Sequence, residues 1–208
     1  MRLEKYKTII LDCDGVIFNS NYLKLDAFRD ALSEFDKKIV DEFIEYFKNN
    51  FGTSRYHLTR VFLEEFLKQE FNEILYNEIL NKYSQNCVLL YEKSDMTKDF
   101  LEFIETYKNK NLFVASGSDQ KELREVFKNR DLDKYFVDIF GSPTKKSEIV
   151  KNIVIENKNS IMIGDAKSDI LAANESKIDF IFMSDYSTSE ELKKDKSLSS
   201  IENLGDLI

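Results

Sequence analysis

Hydrophobic and polar residues follow two different rhythms along this chain. Thr8–Leu11 is a short apolar run that ends abruptly in acidic residues, which is typical of a buried strand. From Asn21 to Lys93, apolar residues recur every three or four positions with acids and lysines between them. This periodicity predicts four helices and little strand. After Ser94, short apolar runs alternate with helical segments.

The segments after Ser94 predict a parallel sheet, because short apolar strands separated by helices form βαβ units with helices on both faces of the sheet. We therefore expect an α/β fold: a Rossmann-like core with a parallel central sheet plus an inserted four-helix cap domain. The core would comprise residues 1–19 and 94–208, and the cap residues 20–93. Ser187–Ser200 is expected to form a surface helix and loop.

Composition and charge exclude several classes of function. The chain has 208 residues and a formal net charge of −8, so a nucleic acid would meet net repulsion. No run is long enough to span a bilayer, and the segment 1–7 is too polar for a signal peptide. Cys13 and Cys87 lack the spacing of a disulfide framework or a metal site, which predicts two buried thiols and a cytoplasmic protein. A monomer and a small homo-oligomer both remain possible.

Polar residues suited to phosphate or metal follow four of the predicted strands, and in parallel α/β sheets ligands gather at the carboxyl ends of strands. Alone, each group has an ordinary explanation as a turn, a helix cap or a solvated lysine. Their joint occurrence at successive strand ends indicates a site for phosphate and metal. In chain order they are Asp12 and Asp14, then Ser116-Gly117-Ser118, then Lys145 and Lys146, and finally Asp165 and Asp169.

In the segments LDCDGV, VASGS, GSPTKK and IGDAKSD, the sequence resembles the haloacid dehalogenase-like (HAD) hydrolase superfamily, and the resemblance covers essentially the whole chain. The helical insert resembles the cap of the subfamily that includes phosphoglycolate phosphatase and β-phosphoglucomutase. The resemblance implies a Mg²⁺-dependent phosphatase that acts on a small phosphorylated metabolite. These motifs are highly specific for the superfamily and much less so for a substrate.

The resemblance also implies roles for the four aspartates. Asp12 would attack phosphorus and form an aspartyl-phosphate. Asp14 would protonate the leaving group and then deprotonate water. Mg²⁺ would be held by the Asp12 carboxylate, the Asp14 backbone carbonyl and Asp165, with Asp169 a direct or water-mediated partner. Because a halide leaving group needs no proton, Asp14 favours phosphate esters over organohalides.

Phosphate binding is assigned by the same resemblance to Ser116, Gly117 and a lysine, which would hold the phosphoryl oxygens. Lys146 is preferred because it precedes SEIV as the family lysine precedes its helix. Lys145 is the alternative.

The cap segment from Gly52 to Tyr56 resembles a GxSR specificity loop of some helical caps. The analogy puts Arg55 over the active site, where it could grip a phosphate or carboxylate, whereas the alternative is a solvated arginine at a helix start. Lys24 could also face the site. His57 is expected to be structural or exposed rather than catalytic.

Two alternatives to a phosphatase stay open. A phosphomutase of the β-phosphoglucomutase type would use the same aspartyl-phosphate, but Phe51 stands where that enzyme has a lysine, which favours hydrolysis. A non-catalytic phosphometabolite-binding or receiver-like protein would need neither the helical insert nor Asp14. A P-loop nucleotidase is disfavoured because no GxxxxGK[ST] occurs. Hinges between core and cap are expected near Asn19–Asn21 and Tyr91–Ser94.

Overall fold

A computed structural model describes residues 3–208; Met1 and Arg2, at the start of the predicted core, lie outside the described residues. The strands are β1 (Thr8–Leu11), β2 (Asn111–Asp119), β3 (Asp138–Ser142), β4 (Ser160–Gly164), β5 (Asp179–Met183) and β6 (Ser200–Ile201). They form a six-stranded sheet in the order β3-β2-β1-β4-β5-β6, and each pair of neighbouring strands is parallel. The predicted α/β fold with a Rossmann-like core is confirmed.

Alternate residues of the central strands bury their side chains on opposite faces of the sheet. Ile10 and Met162 pack in one hydrophobic cluster, whereas Ile9, Leu11 and Ile163 belong to the other. Both faces are therefore covered, as the continuous apolar runs predict. Five helices follow the insert, and the first of them precedes β2 while the other four follow β2 to β5 in turn. They are α5 (Phe100–Tyr107), α6 (Gln120–Asn129), α7 (Lys146–Glu156), α8 (Lys167–Ser176) and α9 (Glu190–Lys194).

Residues 21–93 form helices that pack on one another through aromatic side chains. The ring of Phe28 lies 5.1 Å from that of Phe43 and 4.3 Å from that of Tyr83, between ring centroids. The division of the chain into a core and a separate cap of residues 20–93 stays a prediction. The helices are α1 (Asn21–Ala31), α2 (Lys37–Asn49), α3 (Arg55–Val61), which continues as a π turn (Phe62–Phe66), and α4 (Glu73–Lys93).

Two local expectations differ from the structure. Ser187–Ser200 contains helix α9, but its last residue begins strand β6, which pairs with β5. A two-residue strand is too short to show an alternating pattern, so the sequence offers no sign of it. The helical period of apolar residues continues from Leu58 to Phe71 and predicts a third helix over these residues. The helical turns instead end at Phe66, and Lys68 adopts a left-handed conformation with φ of 53°. Among residues 3–208, no helix is both long and apolar enough to cross a membrane.

Candidate active site

The strand register aligns the chemically important strand ends. Leu11, the last residue of β1, pairs with Val114 of β2 on one side and with Ile163 of β4 on the other. The next residue, Asp12, donates its backbone N–H to the Ile163 carbonyl at 3.0 Å. Asp12 therefore leaves the sheet at its centre, beside the end of β4 and beyond the last residue of β2 that pairs with β1.

Three buried carboxyl groups meet at this edge. Oxygen atoms of Asp12, Asp165 and Asp169 all lie within 4.8 Å of one another, and none of these residues is more than 4% exposed. Burial and the charge of Asp169 raise the pKa of Asp12 to about 7, although Lys146 opposes the shift. Burial and the charges of Asp12 and Asp169 raise the pKa of Asp165 well above its usual range. Crowded oxygen donors with uncompensated negative charge fit a hard divalent cation such as Mg²⁺.

Lys146 is the lysine that reaches these acids. Its Nζ lies 2.9 Å from Asp12 Oδ1 and 2.5 Å from Asp169 Oδ1, whereas the side chain of Lys145 is exposed. The other oxygen of Asp169 accepts hydrogen bonds from the backbone N–H groups of Asp165 and Ala166, at 3.2 and 3.0 Å. Asp169 thus fixes both the start of α8 and the ammonium group next to Asp12.

Asp14 lies in a separate set of hydrogen bonds. Its Oδ1 accepts from Ser20 Oγ at 2.6 Å and from the Tyr91 hydroxyl at 2.7 Å. Its Oδ2 accepts from Lys24 Nζ at 2.7 Å and from Ser118 Oγ at 2.9 Å. Burial alone would raise the pKa of Asp14, but the charge of Lys24 and these hydrogen bonds lower it below its usual value.

Gly15 and Asn21 hold Asp165 against the turn that follows β1. Gly15 has φ of +80°, and a Cβ there would lie 2.4 Å from Asp165 Oδ2, so both the conformation and the space require glycine. Asn21 Nδ2 donates to the same oxygen at 2.6 Å and to the Tyr186 carbonyl at 2.9 Å. The first residue of α1 is therefore tied directly to the acid cluster.

The predicted phosphate-binding segment 116–118 lies in the last part of β2, beside these acids. Ser116 is fully buried, and its Oγ accepts a hydrogen bond from the backbone N–H of Ser118 at 3.1 Å. Gly117 and Ser118 line the cavity above the acids, whereas Ser116 is not among its lining residues. A Cβ at Gly117 would lie 2.3 Å from the backbone oxygen of Gly52. The backbone of the loop before α3 therefore packs closely against this segment.

Arg55 lines the cavity, but its guanidinium is already paired. Nη1 and Nη2 donate to the two carboxylate oxygens of Glu122 at 2.7 and 2.6 Å, and the group lies 4.8 Å from the ring centroid of Tyr83. Glu122, on α6, also accepts a hydrogen bond from Ser84. This pair joins α3 to α6. The predicted role of Arg55 as a substrate ligand stays a prediction. His57 is exposed.

The cavity is small. Its volume is about 20 Å³, room for little more than one water molecule. In this conformation it has no room for a phosphorylated metabolite. The lining residues are Asp12, Asp14, Asn21, Lys24, Phe47, Phe51, Gly52, Thr53, Arg55, Leu58, Tyr83, Gly117 and Ser118.

Sequence reasoning missed four of the residues that contact the predicted site, whereas Ser118 was among the strand-end residues that it singled out. Ser20 directly precedes the first predicted helix, and Asn21 begins it. Both lie only a few residues after the end of β1, so the chain has little length in which to move away from that strand end. Tyr91 and Glu122 had no signal, because their contacts depend on how α4 and α6 pack.

Comparisons with known proteins agree with this geometry. The sequence model of the family described as haloacid dehalogenase-like hydrolase matches residues 6–177. No curated protein sequence matches the chain. Among solved structures, a haloacid dehalogenase-like hydrolase from Streptococcus pneumoniae has a TM-score of 0.70 and 17% identity, with 97% of this chain and 96% of that chain covered.

Two further structures cover the same shares, 97% of this chain and 96% of theirs. A predicted phosphoglycolate phosphatase from Haemophilus somnus has a TM-score of 0.76 and 15% identity. CbbY from Rhodobacter sphaeroides, in complex with phosphate, has a TM-score of 0.74 and 14% identity. At these identities the likeness concerns the fold. With the family match over most of its length, the chain belongs to the haloacid dehalogenase-like hydrolases.

Proposed function

We propose that this hydrolase is a Mg²⁺-dependent phosphatase that cleaves a small phosphomonoester through an aspartyl-phosphate on Asp12. One observation carries the proposal: two aspartates line the same closed cavity but have different surroundings. Asp12 lies among carboxylates and Lys146, and Asp14 lies among hydroxyl groups and Lys24. Such a separation suits one acid to bond to phosphorus and the other to move a proton.

The acid cluster would hold the metal ion. Its ligands would be the carboxylates of Asp12 and Asp165 and the backbone carbonyl of Asp14, with Asp169 bound directly or through water. When bound, Mg²⁺ supplies positive charge that offsets repulsion between an anionic nucleophile and an anionic substrate. Asp169 is the better candidate for a water-mediated role, because both its oxygens already accept hydrogen bonds.

The chain's own groups would carry out two displacements. In the first, an Asp12 oxygen bonds to phosphorus as the ester P–O bond breaks, and Asp14 gives its proton to the departing oxygen. In the second, Asp14 takes a proton from water, whose oxygen bonds to phosphorus as the Asp12–phosphorus bond breaks. The products are the alcohol and inorganic phosphate, and both aspartates return to their initial state.

Asp14 needs a proton before the first displacement, yet its pKa is lowered by Lys24 and by the hydroxyl groups of Ser20 and Tyr91. A phosphate group that enters beside it brings like charge, which disfavours the ionised form and raises the pKa. Substrate binding would thus prepare Asp14 as an acid.

Lys146, Gly117 and Ser116 would bind the phosphoryl oxygens. Lys146 already lies within 2.9 Å of the nucleophile, and Gly117 contributes backbone beside the cavity. Phosphate bound to CbbY, which shares this fold, supports a phosphate site of this kind. Residues 20–93 would act as a lid, because the cavity of about 20 Å³ leaves no space for a substrate while it is closed.

The test measures release of inorganic phosphate from p-nitrophenyl phosphate and from a panel of phosphorylated metabolites, with Mg²⁺ and with EDTA. We expect Mg²⁺-dependent release that Asp12→Asn abolishes and that Asp26→Asn, a change at an exposed aspartate of α1, leaves intact. Activity in Asp12→Asn, or no release from any ester, contradicts the proposal.

A second variant tests the intermediate. Nitrophenolate leaves without a proton, so Asp14→Asn should release about one equivalent of it and then stop with phosphate bound to Asp12. Mass spectrometry of the trapped protein would locate the phosphate. An isomerised product without free phosphate would instead indicate a phosphomutase, and a stable phosphoprotein in the wild type would indicate a receiver-like protein.

A further inference from the structure

The part of the cavity that would hold the leaving group is walled by residues of the insert, both apolar and polar. Of the described residues that line the cavity, only Lys24 and Arg55 carry positive charge. Any second anionic group on a substrate would therefore need one of these two side chains. The apolar lining residues are Phe47, Phe51, Leu58 and Tyr83.

Both cations already have acidic partners. Arg55 is 5% exposed and makes two parallel hydrogen bonds with Glu122, which is the geometry that a carboxylate or phosphate on a substrate would otherwise occupy. Lys24 is held by Asp14 at 2.7 Å and also donates to Ser118. Neither side chain offers unpaired positive charge to the cavity.

A substrate with a second anion would have to displace one of these acids. Taking Arg55 away from Glu122 leaves a largely buried carboxylate without its partner, next to a new negative charge. An unpaired buried charge is costly. Displacing Asp14 from Lys24 would release the acid that the proposed reaction uses. The charge pattern therefore opposes a second phosphate or carboxylate.

The hydrogen bonds of Asn21 indicate which kind of leaving group fits the cavity instead. It lines the cavity, and its Nδ2 is fixed by hydrogen bonds to Asp165 and to the Tyr186 carbonyl. Its Oδ1 is buried and accepts no hydrogen bond from any described residue. A buried acceptor without a donor is unfavourable, and a hydroxyl group on a substrate would supply the donor. Thr53 adds a second uncharged polar group to the lining.

We infer that the substrate is a monophosphate of a small, uncharged, hydroxylated alcohol, and this inference rests on the proposed phosphatase function. Glu122 is the residue that excludes leaving groups with a second anionic group, because it occupies the guanidinium of Arg55. Glu122 does this from α6, outside the insert that supplies the rest of the leaving-group wall.

Two matched substrate pairs test the inference. 2-Hydroxyethyl phosphate and phosphoglycolate differ only in a hydroxymethyl group against a carboxylate, and so do glycerol 3-phosphate and 3-phosphoglycerate. In the wild type we expect kcat/KM for the uncharged member to exceed that for the acid by about tenfold or more. The inference is overturned if, in both pairs, the acid is hydrolysed as well as its uncharged counterpart or better.

The variant Glu122→Gln keeps the side chain's size and removes its charge. We expect it to improve the ratio for the acids by about tenfold, chiefly by lowering their KM. The control is Glu125→Gln, the same change one turn along α6 at an exposed residue. An unchanged ratio in a folded Glu122→Gln protein overturns the role of Glu122, and the wild-type ratios decide the substrate class even if that variant does not fold.

Failure of the inference is distinguishable from failure of the proposed function. Turnover of p-nitrophenyl phosphate without turnover of either uncharged alcohol phosphate overturns the small hydroxylated leaving group and leaves a phosphatase. Absence of phosphate release from every ester overturns the phosphatase and the inference that rests on it.

Discussion

Replacing Lys146 by methionine removes the ammonium group beside Asp12 and keeps most of the side chain's volume. In the structure this group lies between the oxygens of Asp12 and Asp169, and all three side chains are at most 5% exposed. Lys145→Met is a matched control, because Lys145 is adjacent in sequence and exposed. We expect Lys146→Met to lose phosphatase activity and stability, and Lys145→Met to lose neither.

The expected size follows from burial. Removing one partner of a buried ion pair costs about 3–5 kcal/mol, because the remaining charge is left uncompensated. For a chain of this length each kcal/mol lowers the melting temperature by about 2–4 °C, so a loss of about 10 °C is reasonable. The loss should shrink at about pH 5, since burial already raises the pKa of Asp12 to about 7 and the carboxyl group can accept a proton instead.

Thermal and urea unfolding in EDTA, at about pH 5 and about pH 8, measure this effect. Addition of Mg²⁺ at the higher pH should restore more stability to Lys146→Met than to the wild type, because the variant has more uncompensated charge. A Lys146→Met protein as stable as the wild type in EDTA at pH 8 would refute the reasoning. So would a loss of the same size in Lys145→Met.

Three further predictions concern the same site. In urea titrations the metal-free wild type should lose stability as the pH rises from about 5 to about 8. The reason is that folded Asp12, with a pKa of about 7, holds a proton that the unfolded chain has released. Stability that does not change with pH contradicts this. Gly117→Ala should lower kcat/KM by about tenfold or more, because its Cβ would lie 2.3 Å from the Gly52 oxygen and hold the lid away; unchanged kinetics count against it. Small-angle scattering should show a smaller radius of gyration with Mg²⁺ and orthovanadate than without them, through hinges at Asn19–Asn21 and Tyr91–Ser94; identical curves speak against a moving lid.

The positions of the chemically active strand ends could be predicted because they depend on local pattern. Asp12 follows an apolar run, and Asp165 follows another, so each is placed at a strand end by its own neighbours in sequence. Parallel pairing then brings these ends to one edge whatever the order of the strands. The choice of Lys146 over Lys145 also depended on local information, namely the start of α7.

The partners of the cap residues could not be predicted, because they depend on packing between distant helices. Arg55 is separated from Glu122 by 67 positions, and Tyr91 from Asp14 by 77. No periodicity in either segment says which face of α6 meets α3. The family analogy puts Arg55 over the active site and leaves open a solvated arginine at a helix start, whereas the fold shows it bound to an acid that the motifs do not include.

The balance of buried charges at the site explains why the ionisation of its aspartates depends on what binds there. Four buried aspartates are near only two buried lysines, so the site carries two more negative than positive groups. Two of the aspartates, Asp12 and Asp165, have raised pKa values in the metal-free protein, which means that protons can balance that excess. A protonated Asp12 is a poor nucleophile, since the attacking oxygen must be ionised. A divalent cation balances the same two charges without occupying the nucleophile's proton site. A bound divalent cation would therefore allow Asp12 to be ionised while the charge of the site stays balanced.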